Sequence, residues 1–162
     1  MKNLIFMLLA TILIVSCNSN DDNNNSFYFL NRHIEFKVTS IGGIDLLNPN
    51  NTNAYLKNNI KIYNLIEGNV VEVYNQNAEY SRDFKIVPPE DSGIEEYFIR
   101  VYINNLELEN AITYIEWDET DTDTIKSISV ANGSSLILTQ AWYNDKLLID
   151  ENTESLPEII KN

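Results

Sequence analysis

In Ile34-Glu35-Phe36-Lys37-Val38-Thr39-Ser40, apolar Ile34, Phe36 and Val38 alternate with polar Glu35, Lys37 and Thr39. Successive side chains of a strand point to opposite faces, so Ile34, Phe36 and Val38 form one apolar stripe while Glu35, Lys37 and Thr39 face water. A helix would scatter the same residues around its circumference. The stretch therefore predicts a half-buried β-strand, and the same period recurs down the chain.

Residues 59–66 and 70–74 read as two further strands, joined across Glu67-Gly68-Asn69, where Gly68 supplies the positive φ of a tight hairpin. Residues 83–87 form a short strand stopped by Pro88-Pro89, and 97–103 a longer one rich in β-branched and aromatic residues. Segments 111–117 and 124–131 follow, separated by an acidic loop, and Asn132-Gly133 is a turn signal. Residues 136–143 and 146–149 make a last hairpin around Asn144-Asp145. Long loops are expected at 42–56 and 88–96, and single helical turns near 54–57 and 156–161. Eight or nine strands with short links imply a mostly antiparallel all-β fold, a β-sandwich or alternatively a closed barrel.

The 162 residues carry 24 acidic and 11 basic side chains, a net charge of −13. No basic stripe is present to neutralise phosphates, so nucleic acid is an unsuitable partner. The acidity also disfavours adsorption to anionic lipid. It suits solubility and repulsion between neighbouring molecules.

At the other end of the chain, Met1-Lys2-Asn3 precedes a run from Leu4 to Val15 broken only by the polar Thr11. This run is shorter than the roughly 20 residues a spanning helix requires, but fits the apolar region of a secretory signal. It ends in Leu13-Ile14-Val15-Ser16-Cys17. That segment resembles a bacterial lipobox, with Ile14 three residues before the cysteine and Ser16 directly before it. The resemblance implies lipid transfer to the Cys17 sulfur and cleavage ahead of it. Residues 1–16 are then a signal peptide, and membrane attachment runs through the lipid on Cys17. Cys17 is the chain's only cysteine, so no intramolecular disulfide can form, and lipidation gives the thiol a role. Cleavage of residues 1–16 removes one charge, that of Lys2, and would take the chain from −13 to about −14.

Residues 17–26 form an expected tether, Cys17-Asn18-Ser19-Asn20-Asp21-Asp22-Asn23-Asn24-Asn25-Ser26, with nothing in it to bury. Asp21 and Asp22 resemble the acidic export signal behind the lipidated cysteine of Bacteroidetes lipoproteins that face the cell exterior. The resemblance implies an outer-membrane, lipid-anchored position at the cell surface. Residues 27–162 are left as one β-sandwich domain, long enough for a core of its own.

Gly43-Ile44-Asp45-Leu46-Leu47-Asn48-Pro49, then Ile60-Lys61-Ile62-Tyr63, Val71-Glu72-Val73-Tyr74 and Trp142-Tyr143-Asn144, resemble small uncharacterised Bacteroidetes (flavobacterial) lipoproteins. These motifs look structural, and the resemblance brings no activity with it.

Little in the chain points to catalysis. His33 is the only histidine and is expected at a strand edge. No nucleophile motif or cofactor motif is present, and one histidine with a lipidated cysteine cannot build the common zinc site. Within the acidic loop, Asp118, Asp121 and Asp123 are candidate calcium ligands, because alternating carboxylates in a loop can converge on one ion. The spacing is not that of an EF-hand, and a solvated connection is the simpler expectation. Asp123-Thr124-Ile125 resembles a Bacteroidetes O-glycosylation pattern. Trp117 and Trp142 are candidates for a sugar-stacking face, or else core and edge residues of the strands. The expected function is non-enzymatic: binding or envelope architecture at the cell surface, with glycan capture for an outer-membrane uptake system as the alternative. The partner would be a glycan or an envelope protein.

Overall fold

The computed structural model describes residues 29–162, so the signal segment, Cys17, Asp21 and Asp22 lie outside the described residues. Two sheets face each other and neither closes into a barrel. The strands are β1 (Phe29–Asn31), β2 (His33–Ser40), β3 (Lys61–Ile66), β4 (Asn69–Glu72), β5 (Phe84–Val87), β6 (Phe98–Tyr102), β7 (Ala111–Asp118), β8 (Asp121–Asn132), β9 (Ser135–Tyr143), β10 (Lys146–Ile149) and β11 (Glu158–Lys161). All nine strands expected from the alternation are present, and β1 and β11 are added to them.

The larger sheet runs β1-β9-β8-β7-β3-β4, with β10 sharing the outer edge of β9. The smaller runs β11-β2-β6-β5. Neighbours are antiparallel except β1 on β9 and β11 on β2. β1 and β2 are nearly one extended run, which passes from the larger sheet to the smaller at Arg32. There the Arg32 guanidinium donates to Asp83 Oδ2 and to the Ile103 carbonyl, both at 3.3 Å.

The apolar stripe lies where the alternation puts it: Ile34, Phe36 and Val38 are at most 1% exposed. They meet Ile99 and Val101 of their own sheet and Ile62, Ile115, Trp117, Ile125 and Tyr143 of the other. Leu46 and Leu47 reach the same core from the 42–56 loop. Asp45 explains why this loop is fixed. Its Oδ1 accepts the Leu47 and Asn48 amides at 2.8 and 3.2 Å, and its Oδ2 accepts the Tyr97 amide at 3.1 Å. One carboxylate thus folds the Asp-Leu-Leu-Asn-Pro turn and ties it to the chain ahead of β6, an Asx-type device.

Four local expectations are corrected. Residues 156–161 form no helical turn: β11 lies on the open ladder of β2 and packs Ile159 against the core. Four residues cannot nucleate a stable helix in water, whereas an exposed strand edge offers immediate pairing. The stretch 54–57 is not helical either, being part of successive turns closed by Ala54 N to Asn51 O and Asn59 N to Leu56 O. Within 88–96 one turn of helix, α1 (Pro89–Ser92), opens on a proline and ends at Gly93 with φ 73°. Finally, the acidic loop is a two-residue hairpin turn, Glu119-Thr120, because Asp121 and Asp123 already belong to β8.

Candidate functional site

The site is built by the hairpin of β7 and β8. Asp118 stabilises its turn: Oδ1 accepts the amides of Thr120 and Asp121 at 2.8 and 3.1 Å and the Thr120 hydroxyl at 2.8 Å. Beyond the turn, period two continues. Asp123, Ile125, Ser127 and Ser129 are buried on the inner face, while Thr122, Thr124 and Lys126 point outward. The hairpin therefore carries a carboxylate into the end of the core.

Asp123 is fully engaged there. Its Oδ2 accepts Trp117 Nε1 at 2.7 Å, the Tyr143 hydroxyl and Lys161 Nζ, and its Oδ1 accepts Asn144 Nδ2. Burial alone would push the Asp123 carboxyl upward, but hydrogen bonds from Lys161, Tyr143 and Asn144 outweigh it and hold the group below the usual carboxylate range. Lys161 Nζ also donates to Asp121 Oδ1 at 2.7 Å, and the Tyr55 hydroxyl donates to Asp121 Oδ2 at 2.5 Å. Burial, then the bond to the adjacent carboxylate, pushes both phenols well above their ordinary range, so each remains a donor. Among the described residues every buried side-chain nitrogen and oxygen has a partner.

Lys161 reaches this cluster from β11, on the edge of the opposite sheet, so the ion pair bridges the sandwich. The Trp117 and Tyr55 rings lie 5.5 and 5.9 Å from its ammonium. Above the cluster opens a cleft of about 770 Å³, whose wall includes Tyr55, Thr120, Asn144, Lys146 and Leu147. Its lining is mostly polar.

The candidate residues fare differently. Asp121 and Asp123 converge, but on the Lys161 ammonium, and Asp118 is turned into its own hairpin. Among the described residues no group of three or more histidine, cysteine or acidic side chains is disposed to hold a metal ion. The calcium arrangement is thus replaced by an internal cation. Trp117 and Trp142 do not form one platform. Trp117 is 0% exposed on the inner face, whereas Trp142 sits on the outer face, opposite Lys126 and Leu147 in the ladder. Thr124 is held mid-strand opposite Tyr114, with its amide bonded to Asn144 Oδ1. His33 begins β2 beside Tyr102, far in the ladder from the aspartates, and burial followed by Arg100 lowers its basicity.

Sequence reading missed Tyr55, Tyr143, Asn144 and Lys161. One signal was available: Asp123 is in phase with Ile125, which marks it as inward-facing. Asn144 and Asp145 both adopt positive φ, 46° and 64°, giving the tight hairpin that aims the Asn144 side chain back at Asp123.

The cleft lies at one end of the sandwich, and the chain enters the fold at the other. Phe29 pairs with Ser135 at the start of β9, while Tyr143, at its end, lines the cleft. Eight residue steps at about 3.3 Å separate these points by roughly 26 Å. No helix among the described residues is long and apolar enough to cross a membrane. No family model matches the chain, and neither the curated proteins nor the solved structures include one significantly similar to it.

Proposed function

We propose that this chain is a lipid-anchored module of the outer membrane, facing the cell exterior, which presents a polar binding cleft and performs no catalysis. The observation that carries this is the polarity of the sandwich. A lipid on Cys17 would join the fold through its β1 end, and the cleft opens about 26 Å away along β9. The carboxylates beneath the cleft are occupied by internal donors, which suits a rigid floor better than acid–base chemistry on a bound ligand. Two or three acyl chains on one cysteine make a stable anchor, since each buried CH₂ contributes about 0.8 kcal/mol.

Radiolabelled fatty acid should enter the wild-type protein and not Cys17→Ser. Converting Asp21 and Asp22 to Ala should leave labelling intact but reduce the protein reached by an impermeant surface reagent. Native protein with an unmodified residue 17, or with residues 1–16 attached, would overturn the anchor. Unchanged surface labelling of the double variant would remove the export signal.

The second reading is carbohydrate capture, favoured by the hydroxyl, amide and ammonium groups of Thr120, Asn144 and Lys146 around the cleft mouth. A glycan array probed with the purified protein tests it. Binding lost in Asn144→Ala or Lys146→Ala supports glycan capture, and a blank array leaves the architectural role.

A further inference from the structure

Lys161 and Asp123 are set up for more than an ion pair. They come from opposite sheets, their side chains are 12% and 7% exposed, and Nζ meets Asp123 Oδ2 directly. Aromatic rings enclose the pair: Trp117 and Tyr55 flank the ammonium, and Phe36 packs edge-on against Trp117 and Tyr143. A second carboxylate, Asp121, accepts from the same Nζ at 2.7 Å. Asn144 Nδ2 donates to one oxygen of Asp123, and Trp117 Nε1 and the Tyr143 hydroxyl donate to the other.

We propose that Lys161 and Asp123 condense into an intramolecular amide bond, with Asp121 as the base that assists at the amine. The ion pair already contains every atom required. One ammonium proton passes along the existing Nζ–Oδ2 hydrogen bond to Asp123, leaving a neutral amine and a neutral carboxylic acid. Burial favours that exchange because it penalises both charges. The freed nitrogen lone pair attacks Asp123 Cγ and forms the C–N bond. Negative charge develops on Oδ1, where Asn144 Nδ2 already points, as an oxyanion donor must. A second proton leaves nitrogen through Asp121 and reaches the Oδ2 hydroxyl. The C–Oδ2 bond breaks, water departs with the electron pair, and the Oδ1 carbonyl re-forms. One amide and one water result, Asp121 is regenerated, and nothing is oxidised or reduced. Hydrogen bonding keeps Asp123 mainly ionised, so the neutral pair is the minor form. The condensation is therefore one slow event of maturation, not a turnover.

The bond would serve a clear physical purpose. β11 is four residues long and paired on one side by β2, and no disulfide is available. A covalent tie from β11 to β8 would lock the two sheets at the cleft end, restricting the unfolded chain as a disulfide does.

The test is mass spectrometry of the purified full chain, matured at room temperature. The wild-type digest should contain a branched peptide joining Asp123 to Lys161, lighter than its two parts by one water. Lys161→Arg, which keeps the positive charge but not the primary amine, should lack it, and so should Asp123→Ala. Asp121→Asn should slow its appearance at least tenfold while circular dichroism stays native. The wild-type thermal midpoint should exceed that of Lys161→Arg by more than about 5 °C. Separate linear peptides carrying unmodified Asp123 and Lys161 from folded wild-type protein would overturn the proposal, whatever the variants do. A water loss that maps to any other residue would overturn it equally.

Discussion

Replacing Asp45 with Ala should unfasten the loop that seals one side of the core. The carboxylate accepts three backbone amides, those of Leu47, Asn48 and Tyr97, and among the described residues no other side chain bonds them. Hydrogen bonds to a charged acceptor contribute about 1.5–3 kcal/mol each when buried. These three are partly buried and share one acceptor, so water recovers part of the loss and the bonds are not additive. The expected destabilisation is about 2–4 kcal/mol. At about 2.1 cal/mol/K of unfolding entropy per residue, 3 kcal/mol lowers the midpoint of a domain this size by roughly 10 °C. Asp45→Asn retains one carbonyl oxygen for the Leu47 and Asn48 amides but presents an amide donor to the Tyr97 N–H. Its loss should be smaller, about 1–2 kcal/mol. Urea titrations of the three proteins, followed by circular dichroism, measure both differences. If Asp45→Ala unfolds within about 0.5 kcal/mol of wild type, the three bonds do not hold the loop and the reasoning is refuted.

Tyr143→Phe removes a buried donor from Asp123 and should cost about 1.5–3 kcal/mol in the same urea assay; an unchanged midpoint would mean the phenol is dispensable. Glu116, bonded first by Lys61 at 2.6 Å and also by the Tyr63 hydroxyl at 3.0 Å, is held below the ordinary carboxylate range. A carboxyl lowered on folding contributes stability above its unfolded pKa and loses it as pH falls through the folded value. A carbon-detected NMR titration should accordingly place its midpoint below about 4.3, and a value at or above that contradicts the pairing. Val70, 58% exposed on the edge strand β4, should accept Lys with a stability change within about 0.5 kcal/mol. The same substitution should reduce any concentration-dependent association seen by sedimentation, because a charge on an open strand edge discourages pairing.

The strands were legible because strand alternation is a local property. Ile34, Phe36 and Val38 announce their common face within five residues, and Gly68 or Asn144-Asp145 announce their turns by the backbone angles they tolerate. Even the inward aim of Asp123 follows from its phase with Ile125. What stands opposite that carboxylate is not local. Lys161 is separated from it by most of the C-terminal third of the chain and arrives on a strand that exists because β2 has an open edge. The same residues, 156–161, look helix-compatible when read alone, and only a neighbouring ladder makes them a strand. Trp117 and Trp142 likewise read as equals, yet one is in the core and the other on the outer surface, since their strands meet the sheet in different phase. Local pattern therefore determined the class of fold, its strands and most of its turns. The pairing of the two sheets alone decided which acidic residues meet a lysine, because that contact needs backbone partners distant in sequence to bring it about.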